Sequence, residues 1–480
     1  MAPPVPAPTG VRRATAALDE RTLAVVVAMV ALGLRLAYAL SRRQDEVAGD
    51  AYYFHNQANL VASGHGYTNP LLRAVDGVDV AAADHPPLYT TYLSVWSFFG
   101  ARSSLWHLIA SAVLGTATVL LVMAAGRRLA GPRVGLLAGL AAALHPNLWV
   151  WDGMLLSETA TGCAVALVLW CAIRALEDPS PGWLAATGAA IGLAALARSE
   201  MVLLVLMLIP LAARRRPSAG SPGPMVAGLV GAAALIGVLV PWAAYNQTRF
   251  THPVPLSTGA GLVLASSNCE STYSGPLIGY WDFNCSLSGE VRVGVESDTE
   301  PSEADRALRE DAVEFARSNT GRLPAVAAAR LGRVTGVFRP VQQAGLADFR
   351  EGVPNEIALS SLGTWYLLAA FAVVGARELH RRGVPLSPLL APLAVVLVVA
   401  VLVYGIWRFR VPGDVSVCLL AAVGADALIR RHLEGGVALR STDGLAGRSG
   451  EAERPAEGAD DAPSRPAARR PSPVSPRPGP

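Results

Sequence analysis

TLAVVVAMVALGLRLAYALSRRQ, residues 22–44, decides how the rest of the chain is read. Residues 22–40 supply the roughly 20 apolar positions that carry a helix across a bilayer. Ser41-Arg42-Arg43-Gln44 follows, where a cleaved leader would show small residues. The segment is therefore expected to remain as a signal anchor. The whole chain agrees with a membrane reading: of its 480 residues, 52% are hydrophobic and only 16% charged. Such a composition excludes an ordinary soluble domain and implies several spans. A net charge of +3 gives no reason to invoke nucleic acid. Every basic residue is Arg, a bias that coding composition explains, so arginine abundance alone is no sign of phosphate binding.

Working outward, ten apolar stretches fall near 22–40, 104–125, 132–149, 157–175, 183–198, 200–213, 224–243, 360–377, 385–405 and 411–429. Residues 183–213 read as two short spans with a tight turn or as one span beside a re-entrant segment. Orientation follows from the arginines of the short connections. Arg127, Arg128 and Arg133, then Arg174, Arg214–Arg216, Arg377, Arg381, Arg382, Arg430 and Arg431 all fall on one side if the N-terminus is cytoplasmic. Arg42 and Arg43 oppose the rule and are outvoted. Both termini are then cytoplasmic in a multi-pass protein of the plasma membrane. The expected fold is all-α, with about ten transmembrane helices, interfacial helices in a first outer loop (41–103) and a modest extracytoplasmic loop (244–358). This domain, 21–433, lies between a Pro/Ala-rich N-terminus (1–20) and a Pro/Arg-rich tail (434–480), both expected to be disordered.

Within the first outer loop, DHPPLYTTYLSVWSFFG reads as an interfacial helix with Asp84 as N-cap and Leu88, Tyr92, Trp96 and Phe99 as its apolar stripe. The second ends in two amphipathic helices broken at Gly321. Cys163, Cys171 and Cys418 lie in apolar stretches and read as core residues. Cys269 and Cys285 lie in the outer loop, where an oxidising compartment would permit a disulfide.

Ionisable groups at span ends are costly and mark functional candidates. Under this topology they gather outside: Asp50, Asp84 and His85 in the first loop, then His145, Asp152 and Glu158, then Arg198 and Glu200, Asn246 with Arg249, and finally Arg408 with Arg410. Taken singly, each reads more simply as an interfacial or snorkelling side chain, and Asp50 as the cap of a short helix. Five turns converging on acid and arginine suggest more. Guanidinium groups clamp phosphate. A carboxylate takes a proton from a hydroxyl nucleophile.

The order of motifs resembles the GT-C superfamily of polytopic glycosyltransferases, in particular family 39-like enzymes similar to protein O-mannosyltransferases and lipid A aminoarabinose transferases. The motifs are Gly49-Asp50-Ala51-Tyr52-Tyr53, His85-Pro86-Pro87-Leu88-Tyr89, Ser157-Glu158-Thr159, Leu196-Ala197-Arg198, Pro241-Trp242 with Asn246, and Arg408-Phe409-Arg410-Val411-Pro412. The resemblance implies an inverting enzyme that moves a hexose or pentose from a polyprenyl-phosphate-linked donor to a hydroxyl of an envelope glycan, lipid or protein. Asp50 would be the base. Arg198, Arg408, Arg410 and His85 would hold the donor phosphate, and Tyr53, Asp84, Glu158, Asn246 and Arg249 would bind or orient substrate. Two departures stand out: Ala51 follows Asp50 where the family often has Glu, and His85 stands where Lys is common. No metal-ligand pattern is present, and a divalent metal is not indicated. The rival reading is a transporter or flippase of lipid-linked sugars, which would place ionisable groups near mid-membrane and show matching halves.

Overall fold

The computed structural model describes residues 10–42, 48–215, 222–296 and 298–448. Every regular element among them is helical, apart from an isolated antiparallel bridge between Thr68 and Ala81. Two units are distinguished, Met1–Leu428 and Ile429–Pro480. The first carries the candidate site. The described part of the second is helix only.

Helix α1 spans Gly10–Ser41, starting well before residue 21. Proline stops at Pro8, and the Ala, Arg, Leu and Glu that follow favour helix. After it come α2 (Gly49–Ala62), α3 (Pro70–Asp76) and α4 (Leu88–Phe98), all in the first long connection. Four helices follow: α5 (Ser104–Ala130), α6 (Pro132–Leu144), α7 (Glu158–Glu177) and α8 (Pro181–Ala197). Residues 199–213 form a 3-10 segment, Ser199–Met207, and a short helix α9 (Leu208–Ala213) rather than one regular span. Helix α10 (Pro224–Gln247) leads into the second long connection. There lie α11 (Ala260–Ser267), α12 (Glu270–Tyr273), α13 (Phe283–Val293), α14 (Pro301–Ser318), α15 (Leu323–Val334) and α16 (Pro340–Glu351). The chain closes with α17 (Asn355–Arg381), α18 (Ser387–Leu402) and α19 (Val411–Arg448). Helix thus continues past residue 433, where the tail was expected to begin, and residues 449–480 lie outside the description.

This is a multi-pass membrane protein. Six helices are long and apolar enough to cross: Glu20–Ser41, Ser104–Ala130, Glu158–Glu177, Pro224–Gln247, Asn355–Arg381 and Trp407–Leu433. The other four expected stretches are apolar helices of 10–17 residues. They fall short of the roughly 20 residues that a straight span needs.

The bundle is built around α5, which packs on α1, α6 and α7, while α8 packs on α7 and α10. In lipid, close helix approach depends on small residues. A Cβ on Gly188 would overlap the Gly231 carbonyl, which seats α8 against α10. Gly115 on α5 plays a second role. It leaves room for a fully buried ion pair, Arg35 Nε to Asp152 Oδ2 at 2.7 Å, and a Cβ there would overlap that carboxylate. Burial pushes the Asp152 carboxyl up to about 6, against the opposing pull of Arg35. Asp152 belongs to this structural pair and not to the cluster of polar residues described below.

Arginines also hold the second connection. Arg330 donates to the Ser267 carbonyl at 2.6 Å and to Val401 at 2.9 Å. Arg333 reaches Ile278 at 2.6 Å and Pro276 at 2.9 Å. Cys269 and Cys285 are joined as a disulfide with Cα atoms 6.1 Å apart. The expected pair of amphipathic helices is α14 and α15, separated by a 3-10 turn at Thr320–Arg322.

Candidate active site

Asp50 lies in the first turn of α2, yet it does not cap the helix: the N-cap is Ala48, without a side-chain bond. Its carboxylate turns outward from the helix instead. Oδ2 accepts from Arg408 Nη2 at 2.9 Å, and Oδ1 lies 3.6 Å from His85 Nε2. Loss of water around this carboxyl acts to raise it, but His85 and Arg408 outweigh that and hold it below the usual carboxylate range. The side chain stays 40% exposed, open to an incoming group.

Arg408 comes from the 3-10 turn Trp407–Arg410, which interrupts the chain between α18 and α19. It donates from Nε to Glu158 Oε1 at 2.7 Å. Glu158 is 1% exposed and begins α7, where the positive end of the helix favours a carboxylate. The same Oε1 accepts from Arg198 Nη1 at 3.0 Å, and Arg198 Nε donates to Glu200 Oε1 at 2.7 Å. Arg198 is the residue where α8 gives way to the 3-10 segment. The Phe409 ring lies beneath both guanidiniums, 4.1 Å from Arg198 and 5.2 Å from Arg408. Acids and arginines therefore alternate, Asp50–Arg408–Glu158–Arg198–Glu200, on four separate parts of the chain.

His85 is wedged by aromatic rings, 4.7 Å from Phe54 and 5.1 Å from Tyr53. Tyr53 accepts from Gln57 at 2.7 Å and borders the site. Asp84 does not cap α4, whose N-cap is Pro87. Its Oδ1 accepts from Thr258 Oγ1 at 3.3 Å, tying the first connection to the second. The buried residues of α4 are Tyr89, Thr90, Leu93, Ser94 and Ser97, while Leu88, Tyr92 and Trp96 of the expected interfacial stripe are half-buried and Phe99 is exposed.

Three expected site residues are placed elsewhere. Arg410 is 1% exposed, donates to Asp414 Oδ1 at 2.8 Å and stacks 3.9 Å from the Trp365 ring. Residues two apart on a 3-10 turn point about 120° apart, and here Arg408 faces Asp50 and Glu158 while Arg410 faces Asp414 and Trp365. His145 Nε2 joins Asp414 as well, at 2.9 Å. Asn246 donates to the Val254 carbonyl at 3.1 Å. Arg249 bonds to Asn246, Tyr67 and Ala82, with its guanidinium 4.5 Å from the Tyr245 ring. Both secure the two long connections to the end of α10.

Glu351 is a neighbour that no sequence motif signalled. It ends α16 close enough to Arg408, Glu158 and Asp50 to feel their charges. Burial pushes it up to about 7, Arg408 opposing and the two acids adding to the shift. Among the described residues no group of three or more His, Cys, Asp or Glu is arranged to hold a metal ion.

The archaeal oligosaccharyltransferase AglB from Archaeoglobus fulgidus, solved with an inhibitory peptide and a dolichol-phosphate, superposes on 87% of the chain with a TM-score of 0.51 at 13% identity. The chain shares the fold of this oligosaccharyltransferase and spans about half of it, 51% of its length. ArnT from Cupriavidus metallidurans bound to undecaprenyl phosphate is also similar, with a TM-score of 0.41 and 15% identity over 84% of this chain and 77% of that one. In sequence, residues 84–242 match the family of dolichyl-phosphate-mannose-protein mannosyltransferases. That stretch takes in His85, Glu158 and Arg198 and leaves Asp50 and Arg408 outside it. No curated protein matches the chain.

Proposed function

We propose that the chain is an inverting glycosyltransferase, moving a hexose or pentose from a polyprenyl-phosphate-linked donor to a hydroxyl of an envelope glycan, lipid or protein at the outer membrane face. The observation that carries this reading is Arg408, shared between the exposed Asp50 at 2.9 Å and the buried Glu158 at 2.7 Å. One guanidinium thereby links a candidate base to a candidate phosphate clamp. The similarity to AglB, solved in complex with a dolichol-phosphate, supports a lipid-phosphate donor.

In this mechanism Asp50 takes the proton of the acceptor hydroxyl as its oxygen bonds to the anomeric carbon. The bond from that carbon to the phosphate oxygen breaks on the opposite face, and the phosphate leaves with the electron pair. Arg408 and Arg198 receive the developing charge. Glu158 fixes both guanidiniums, and His85 steadies Asp50. In the resting site Arg408 lowers the basicity of Asp50, which makes it a poor base. A donor phosphate that draws Arg408 toward itself releases Asp50 at the same time. Base strength is thus gained only when donor is present, which limits wasteful hydrolysis.

The test is to give the purified protein, in liposomes, polyprenyl-phosphate hexoses and pentoses labelled in the sugar. Label appearing on a hydroxyl acceptor with inverted anomeric configuration supports the reading. Label that only crosses the bilayer while still bound to its lipid would sink it in favour of a flippase.

A further inference from the structure

Glu351 has a place in the fold more tightly set than its surface loop requires. Helix α16 ends there because Gly352 adopts φ 67°, a left-handed conformation that suits glycine. The Gly352 N–H bonds the Asp348 carbonyl at 3.0 Å, and the Val353 N–H bonds Ala347 at 3.1 Å. Arg42 packs so closely that a Cβ on Gly352 would lie 3.0 Å from its Nη2. On the other side Arg350 donates to the Trp281 carbonyl at 3.1 Å. Helix end and turn are therefore fixed, with the carboxyl near enough to Arg408, Glu158 and Asp50 to feel their charges.

Its Oε2 is buried and has no hydrogen-bond partner. A carboxyl oxygen withdrawn from water without a donor is unfavourable and calls for one. The Nε and Nη2 donors of Arg408 are already committed to Glu158 and Asp50. A phosphate offers no hydrogen to Oε2. What fits is a neutral donor with room for one strong bond, and in a site that handles sugars that donor is a hydroxyl.

Resting on the transferase reading above, we propose that Glu351 binds a sugar hydroxyl through Oε2, beside the hydroxyl that Asp50 deprotonates. The hydroxyl belongs to the transferred sugar or to a glycan acceptor. Both present the same chemistry, and deoxy analogues tell them apart. The contact makes Glu351 a specificity residue that reads one sugar position while Asp50 carries the proton.

The experiment uses the full chain and whichever labelled polyprenyl-phosphate sugar it consumes. Monodeoxy versions of that donor sugar, and of a methyl glycoside acceptor, are compared in wild type, Glu351→Ala and Glu351→Gln. One deoxy analogue is expected to lower wild-type kcat/KM by about fivefold or more, the size of one hydrogen bond. The same analogue should cost Glu351→Ala nothing further, and the analogue that behaves this way identifies donor or acceptor. Glu351→Gln, which keeps an accepting oxygen and the side-chain shape, should recover part of the loss. If every deoxy penalty is the same in Glu351→Ala as in wild type, or if Glu351→Ala matches wild type, this inference is wrong while the transferase reading stands. A wild-type protein that consumes no lipid-phosphate sugar overturns both.

Discussion

Asp50 and Arg408 are 358 positions apart in the chain and 2.9 Å apart in space. That closure brings the start of α2 together with the turn before α19, and most of what the site can do depends on it. Arg408 is held from two sides, so its loss and the loss of its sequence neighbour Arg410 should have different consequences. Arg408→Gln is expected to abolish transfer while leaving a folded protein, because Asp50 is part-exposed and Glu158 keeps Arg198 at 3.0 Å. Arg410→Gln leaves Asp414 buried without its guanidinium, a change that costs about 3–5 kcal/mol. It should appear as poor yield and a lowered melting temperature. Thermal unfolding in detergent beside a turnover assay separates the two.

The pH dependence of stability has a sign that can be worked out. Glu351 is raised from 4.5 to about 7 in the folded protein, so the fold favours its neutral form. Its contribution is fully present below the ordinary carboxyl value and is lost as pH rises through about 7. Asp50 is shifted the other way, and its contribution is lost only as pH falls well below 3.8. Wild type should therefore lose more melting temperature than Glu351→Gln between about pH 5 and pH 8. Equal slopes in the two proteins would contradict the placement of Glu351 beside the acids.

Close packing at glycine makes a third prediction. Gly115→Ala would push a methyl group into the Asp152 carboxylate and disturb the Arg35 pair. Overpacking of this kind costs about 1–3 kcal/mol, and a strained buried ion pair adds to it. Gly237, where an added Cβ would meet no neighbouring element within 4 Å, supplies the control: Gly237→Ala should be harmless. Fluorescence-detected size-exclusion profiles of the two variants give the comparison.

The disulfide tests which side of the membrane the second connection faces. Cys269 and Cys285 close a loop with a sequence separation of 16, for which a bridge contributes about 3 kcal/mol. Cys269→Ser should lower the melting temperature, and so should reduction of the wild type. The bridge forms in cells only if the loop is exported to an oxidising compartment. Thiol labelling of whole-cell protein that finds both cysteines free would place this connection in the cytoplasm.

Much of the site could be read from sequence because apolar spans leave so few places for polar residues. Asp50, His85, Glu158, Arg198 and Arg408 each stand at the edge of an apolar run, and the fold gathers those edges. Arg410 was misread for a local reason: in a 3-10 turn two arginines in R-x-R spacing point to different sides, and sequence does not announce the turn. Asp84 looked like a cap because its partner Thr258 is 174 positions away. Glu351 was invisible for the opposite reason. It lies in a hydrophilic segment where an acid is unremarkable, and only burial of one oxygen sets it apart. The irregular stretch Ser199–Met207 is apolar throughout its length after Glu200, so composition could not distinguish 3-10 from α geometry.

The proposed mechanism assigns proton transfer to the carboxylate of Asp50 and binding to the arginines. Turnover of a labelled polyprenyl-phosphate sugar by Asp50→Asn, measured beside its binding of the same lipid, tests this most directly. The substitution keeps shape and should leave lipid binding near wild type, with product formation reduced by about 100-fold or more. An Asp50→Asn protein that transfers sugar at close to the wild-type rate would contradict the claim.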